Sequence, residues 1–352
     1  MWTLIVPIFA WMLFIGTKMG WGGAYLVLVT AGLIGSVLAA VHHAEVVAHR
    51  VGEPFGTLLL AVAVTVIEVA LIVSLMLAGG PQTTALARDT VFASVMIILN
   101  GIVGLCLLVG GVRFREQIFG LHGVSASLAT LAAIVVLTLI LPNYTISDPG
   151  PVYVPSQLAF IAVVSVVIYG TFVFVQAIRH RDYFLPVEAP HNEEVHAAAP
   201  SLQTASVSAL FLLVSLGAVV LLAKALAPSV ENGVEAAGAP KALVGLIIAA
   251  VVLLPEGLAA LRAARANRLQ TSLNLALGSA LASIGLTIPA VAIVSLATGL
   301  TLTLGIDMKS TVLLLLSLFV SSQSLGTGRT TVLQGVVHLV MFAVYLFTTI
   351  VP

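Results

Sequence analysis

Charge is what this chain has little of. Only 8% of its 352 residues are Asp, Glu, Lys or Arg, where a soluble domain carries roughly 25%, so water is not the main solvent of its surface. The charges that remain cancel, fourteen basic against fourteen acidic. With no basic surplus there is nothing to neutralise a phosphate backbone, which excludes nucleic acid as a partner. Cysteine is nearly absent too. Cys106 stands alone, so no intramolecular disulfide forms, and in its apolar run it reads as a small buried hydrophobe. There is no His-Glu-x-x-His pattern, no Gly-x-Ser-x-Gly elbow and no protease-like acid pair, which leaves an enzyme without its machinery. No cofactor is implied. The partner classes that survive are small inorganic cations, protons and membrane lipids.

What the chain has in abundance is apolar sequence, 60% of residues with a mean hydropathy of +1.17. About 20 apolar residues cross the hydrocarbon core as a helix. Candidate runs stand near 1–16, 22–43, 56–78, 91–111, 124–142, 157–178, 205–227, 242–264, 272–298, 310–325 and 331–351. The expectation is an all-α integral membrane protein of about eleven transmembrane helices, since these runs are too long for barrel strands and lipid leaves backbone groups no partner but each other. The N-terminus is apolar from Met1 and has no basic n-region, so it reads as a membrane segment and not as a cleaved signal.

Arg50, Arg113, Arg115, Arg179, Arg181, Arg262, Arg265, Arg268 and Arg329 fall on one side of this arrangement, and Lys18, Arg88, Lys224, Lys241 and Lys309 on the other. That bias places the N-terminus in the cytoplasm of a bacterial inner (plasma) membrane protein and the C-terminus in the periplasm. A polar cytoplasmic linker over 179–204 divides the chain. Residues 1–20 form a leading helix, 21–178 a first half and 205–352 a second. Five spans in each half is an odd number, so homologous halves stand upside down to each other, as in transporters that bind at the midplane between inverted repeats. Glu45, Gly52 and Glu68 are echoed by Glu231, Gly238 and Glu256.

Glu68 and Glu256 each sit well inside an apolar run. A carboxylate at the bilayer centre costs roughly 2.5–3.5 kcal/mol on insertion scales, so it normally marks an ion or proton path. Burial favours the protonated acid and a bound cation reverses that preference, so the two ligands compete for the same oxygens. A cation also needs neutral oxygens. Thr65 lies one turn before Glu68, Asn100 supplies an amide in the fourth span, and Ser272, Ser279, Ser283 and Thr287 share one face of the ninth. Small polar residues of this kind also serve as packing contacts between membrane helices. Pro255 removes a helix donor just before Glu256. His42, His43, Glu45 and His49 form a candidate pH-sensing or metal-binding group, although an interfacial polar helix end is the simpler explanation. His338 reads as a hydrogen-bonded packing residue, and Glu188, His191, Glu193, Glu194 and His196 as a solvated linker or a cytosolic sensor.

The segments His42–Thr57 leading to Glu68, Leu254–Arg262 and Ser272–Pro289, with Arg115–Phe119, Tyr169–Arg181 and Ser321–Gly335, resemble the calcium:cation antiporter superfamily, specifically its cation/proton exchanger branch. The resemblance implies two inverted five-helix repeats behind a first helix, with one glutamate from each repeat at the exchange site, here Glu68 and Glu256. It implies proton entry coupled to export of Ca²⁺ and, for some members, of Na⁺ and K⁺. Where calcium-selective members carry Asn three residues before each glutamate, this chain has Thr65 and Leu253, a weaker ligand set that argues against exclusive Ca²⁺ binding and leaves monovalent cations as substrates. The alternative is a cation-permeable channel without fixed proton coupling.

Overall fold

The computed structural model describes residues 2–17, 19, 23–52, 55–185 and 200–351. The acidic and histidine-bearing stretch at 188–196 lies outside them. In chain order the helices are α1 (Trp2–Thr17), α2 (Ala24–Val51), α3 (Phe55–Gly79), α4 (Leu86–Met96), α5 (Val103–Phe114), α6 (Leu121–Val135), α7 (Pro155–Phe174), α8 (Leu202–Ala236), α9 (Ala242–Val252), α10 (Leu254–Arg265), α11 (Leu269–Thr298), α12 (Met308–Ser324) and α13 (Val332–Ile350). The named strands among the described residues are β1 (Gln117–Ile118) and β2 (Arg329–Thr330), two residues each and antiparallel.

Among the described residues, seven helical segments are long and apolar enough to cross a membrane, or eight with the bent pair α9–α10 taken as one span. The protein is therefore a multi-pass membrane protein. The shorter segments include α1 and the described apolar part of α3, Thr65–Leu77. Helix ends and hydropathy ends differ. The second apolar run was expected to stop near 43, yet α2 continues to Val51 and stops at Gly52, whose φ of 79° only glycine adopts freely. Likewise α8 runs through Pro228 to Ala236 and is closed just beyond by Gly238 (φ 65°), where the Ala239 amide reaches back to the Val234 carbonyl at 3.0 Å. The two glycines follow Glu45 and Glu231 at the same spacing.

The chain forms two compact units, Met1–Gly79 with His191–Lys241, and Gly80–Pro190 with Ala242–Pro352. In the first, α2 packs along α8, and both contact α1 and α3. In the second, 78% of the apolar stretch of Leu86–Phe114 and 67% of that of α11 are buried, against 28% for α13, so the first two form the centre. The outer helices present Phe160, Phe319, Leu333 and Phe347 outward, as a lipid-facing surface requires. Where α5 meets α13, Gly335 lies on the Leu108 backbone so closely that a Cβ would come within 2.4 Å of its nitrogen.

The central span of this unit is not a continuous α-helix. Between α4 and α5, Ile97–Ile102 forms a π turn, closed by Val103 N–H donating to the Ile98 carbonyl. One end of the unit is tied by side-chain amides. Gln117 Nε2 donates to the Ala264 carbonyl at 3.1 Å and to Asn267 Oδ1 at 2.9 Å, and Gln270 Oε1 accepts from the Gly120 amide at 2.6 Å. In the connection before α7, the Tyr153 hydroxyl donates to the Leu137 carbonyl at 2.6 Å, and its burial pushes the phenol up to about 12.

Candidate functional site

The two intramembrane carboxylates belong to different units, and each has its own setting. In the first unit, Glu68 lies on the buried stripe of α3, which runs through Thr65, Ile67, Leu71, Ile72, Leu75 and Met76. Val62, Val66 and Leu77 occupy the exposed face. Thr65 and Glu68 are each 3% exposed, so the carboxylate points into protein and away from lipid, with the threonine one turn away on the same stripe.

On α2 the four residues of the candidate pH-sensing group differ in burial, with the His42 and His43 rings still edge to face at 5.5 Å. His43 is buried, its Nε2 bonded to the Thr3 carbonyl at 3.0 Å and its ring 5.6 Å from that of Phe211. His42, Glu45 and His49 lie exposed on another face. The structure thus joins three of these residues on one surface and turns the fourth into a packing contact.

In the second unit the helix carrying Glu256 is broken. Helices α9 and α10 meet at Leu253 with a bend of 54°. Pro255 follows, and having no N–H it leaves the Val251 carbonyl without its usual donor four residues on. Glu256 thereby falls in the first turn of α10, where the helix dipole favours a negative charge. Both of its carboxylate oxygens are buried. The next residue, Gly257, packs against Ile102: a Cβ there would meet Ile102 Cδ1 at 3.2 Å. The first turn of α10 therefore touches the π turn that carries Asn100.

Asn100 is fully buried. Its Nδ2 donates to Ser317 Oγ at 2.8 Å, and its Oδ1 has no hydrogen-bond partner among the described residues. An unpartnered amide oxygen costs about 1–3 kcal/mol and suits a cation ligand. Ser272, Ser283 and Thr287 lie on the buried face of α11, with Ser279 half-buried, and α11 packs against both α10 and the π turn. The structure therefore gathers Glu256, Asn100 and the α11 hydroxyl stripe on neighbouring elements of one unit. Cys106 packs with Ala260 and Ala264, and its thiol interacts with the Ser272 side chain.

Three features escaped the sequence reading: the π turn, the hydroxyl face of α12 and its link to His338. The Asn100-Gly101 dipeptide, a turn signal inside an apolar run, was the available clue to the first. Among the described residues, no group of three or more His, Cys, Asp or Glu is placed to hold a metal ion. A cavity of about 600 Å³ opens elsewhere in the second unit among Arg88, Asn143, Thr145, Asp148 and Asp307, and it includes none of the expected ligands.

The profile of the family described as sodium/calcium exchanger protein matches residues 21–178 and 207–351. Over 356 aligned residues, covering 100% of this chain and 96% of the relative, the chain is 49% identical to y4hA of Sinorhizobium fredii. It is 36% identical to the sodium-potassium/proton antiporter ChaA of Escherichia coli, across 91% of this chain and 87% of that protein. Among solved structures, native YfkE superimposes with a TM-score of 0.75 at 17% identity, covering all of both chains. The H⁺/Ca²⁺ exchanger CAX gives 0.71 at 16%, covering 98% of this chain and 87% of that one. At such identities the likeness is one of fold.

Proposed function

Because the chain belongs to the sodium/calcium exchanger protein family, we propose that it is a secondary antiporter, and not an enzyme, which exchanges cytoplasmic Na⁺, K⁺ and/or Ca²⁺ for external protons by alternating access. Glu68 and Glu256 are the carboxylates for which cation and proton compete, and Thr65, Asn100, Ser279 and Ser283 supply neutral oxygens. The carrying observation is that both intramembrane glutamates are turned from lipid, Glu68 on a buried helix stripe and Glu256 with buried oxygens at the start of a half-helix. Such groups mark ion and proton paths, and half-helix termini build transporter sites. The relative of Escherichia coli at 36% identity is a sodium-potassium/proton antiporter, which supports the same chemistry here.

The expected arrangement is eleven spans, a leading helix followed by inverted halves at 21–178 and 205–352, with the N-terminus cytoplasmic and the C-terminus periplasmic in a bacterial inner membrane. Two profile matches of similar length and the paired glycine stops of α2 and α8 support the repeat. The group His42, His43, Glu45 and His49 is a pH-sensing surface in this reading, with His43 as its buried anchor.

In proteoliposomes, an imposed Na⁺, K⁺ or Ca²⁺ gradient is expected to drive protons uphill. Glu68→Gln and Glu256→Gln should each abolish that coupling. Cation flux that dissipates without moving protons would establish a channel in place of an exchanger.

A further inference from the structure

The exchange reading uses no group on α12 or α13, yet both carry buried polar residues in one connected cluster. Helix α12 presents Ser317, Ser321 and Ser324, spaced four and three residues apart and thus on one face, all buried. At the deep end Ser317 accepts from Asn100 Nδ2 at 2.8 Å. At the other end, where α12 finishes and β2 begins, Ser324 Oγ bonds His338 Nε2 at 2.7 Å. His338 is fully buried in α13, fixed where Gly104 of α5 allows a close approach: a Cβ on that glycine would come within 2.9 Å of His338 Cβ.

Two atoms of this cluster have no hydrogen-bond partner among the described residues: Asn100 Oδ1 and Ser321 Oγ. Native proteins keep few such atoms, and two in one track point to exchangeable contacts. His338 also interacts with the Leu99 carbonyl, next to Asn100. With Ser324 O–H donating to Nε2, Nδ1–H faces a carbonyl. The imidazolium is accommodated as well, one N–H toward each oxygen.

The helices and turn packed on α13 are α5, α12, the π turn and α9, and their described titratable or charged groups lie elsewhere. Cys106 faces Ala260 and Ala264 on α10, Arg113 is exposed in the last turn of α5, and Lys309 bonds the Thr348 carbonyl at the far end of α12. On α13 itself, Tyr345 packs against Phe92 and interacts with Asp89.

We propose that His338 with Ser324, Ser321, Ser317 and Asn100 forms a proton-transfer track that connects the Glu256 turn to the β1/β2 end of the second unit. A proton arriving along the hydroxyl face, with water bridging the turn-length gaps, passes through Ser324 to Nε2 while Nδ1–H stays on the Leu99 carbonyl. Release of a proton from Nε2 through Ser324 toward the β1/β2 end returns the ring to neutral, so one proton enters and one leaves. The inference rests on the exchange reading, whose orientation makes the β1/β2 end cytoplasmic and the track the exit for protons.

The test compares two fluxes in one set of proteoliposomes: Ca²⁺- or Na⁺-driven proton movement, and self-exchange of radiolabelled cation, which moves no proton. His338→Gln keeps a hydrogen-bonding side chain that cannot titrate. It should slow coupled proton flux by about 100-fold, the lower range for a positioned proton-transfer group, while leaving self-exchange unchanged. Ser321→Ala should slow the coupled flux alone, to a smaller degree. If His338→Gln leaves coupled flux intact, or lowers both fluxes equally as a packing defect would, the track is refuted. If His338→Gln does not fold, Ser321→Ala and Ser324→Ala decide by the same criterion. A wild-type protein that self-exchanges cation yet never moves protons would overturn the exchange reading itself, and this one with it.

Discussion

Replacing Glu256 by Gln removes one negative charge and changes almost nothing in shape, so its effect isolates the electrostatic part of cation binding. Both carboxylate oxygens are buried, so the dielectric of bulk water does not apply. At an effective value of about 20, a carboxylate and a monovalent cation about 4 Å apart attract by about 4 kcal/mol. At about 1.4 kcal/mol per decade this is about a thousandfold in affinity. For a divalent cation the Coulomb energy doubles, so Ca²⁺ should suffer far more than Na⁺ from the same substitution. The assay is the half-saturating concentration of each cation for coupled proton movement in proteoliposomes, with cation binding to purified protein where coupling is lost. Glu45→Gln and Glu231→Gln serve as controls, because both glutamates are exposed near helix ends and their loss should leave both affinities unchanged. Wild-type affinities in Glu256→Gln, or equal losses for Na⁺ and Ca²⁺, would refute the argument that this charge binds the cation directly.

Pro255→Ala restores an N–H that can reach the Val251 carbonyl and should reduce the 54° bend; we expect transport to fall while thermal stability holds or rises, read from exchange and unfolding on the same preparation. Gly335→Ala places a Cβ 2.4 Å from the Leu108 backbone nitrogen, an overpacking that neither backbone can relieve cheaply, and should cost about 1–3 kcal/mol. Gly170→Ala has nothing within 4 Å and should be neutral by the same unfolding measurement. Asn100→Asp adds a carboxylate where an amide oxygen is unpartnered, and should raise the preference for Ca²⁺ over Na⁺ in competition experiments; an unchanged ratio would remove Asn100 from the ligand set.

The sequence by itself determined that the protein lives in lipid, because 8% charge cannot clothe a water-facing surface and long apolar runs leave helices as the only structure that satisfies their backbone. It also singled out Glu68 and Glu256, since an acid inside such a run is costly enough to need a reason. It did not set the helix ends. Hydropathy marks where lipid stops, whereas α2 and α8 are closed by Gly52 and Gly238, where the backbone turns to a φ that only glycine adopts freely. Only the tertiary structure decided which face each polar residue takes. It buried the His43 ring against Thr3 while leaving His42, Glu45 and His49 exposed. It also turned the run around Asn100 into a π turn, a local choice between nearly equal backbone hydrogen-bond patterns that packing settles. The link between His338 and Ser324 was out of reach for the same reason: a serine in an apolar helix looks alike whether it packs, donates to its own backbone or meets a partner on the next helix, and the approach of α13 to α12 makes that choice.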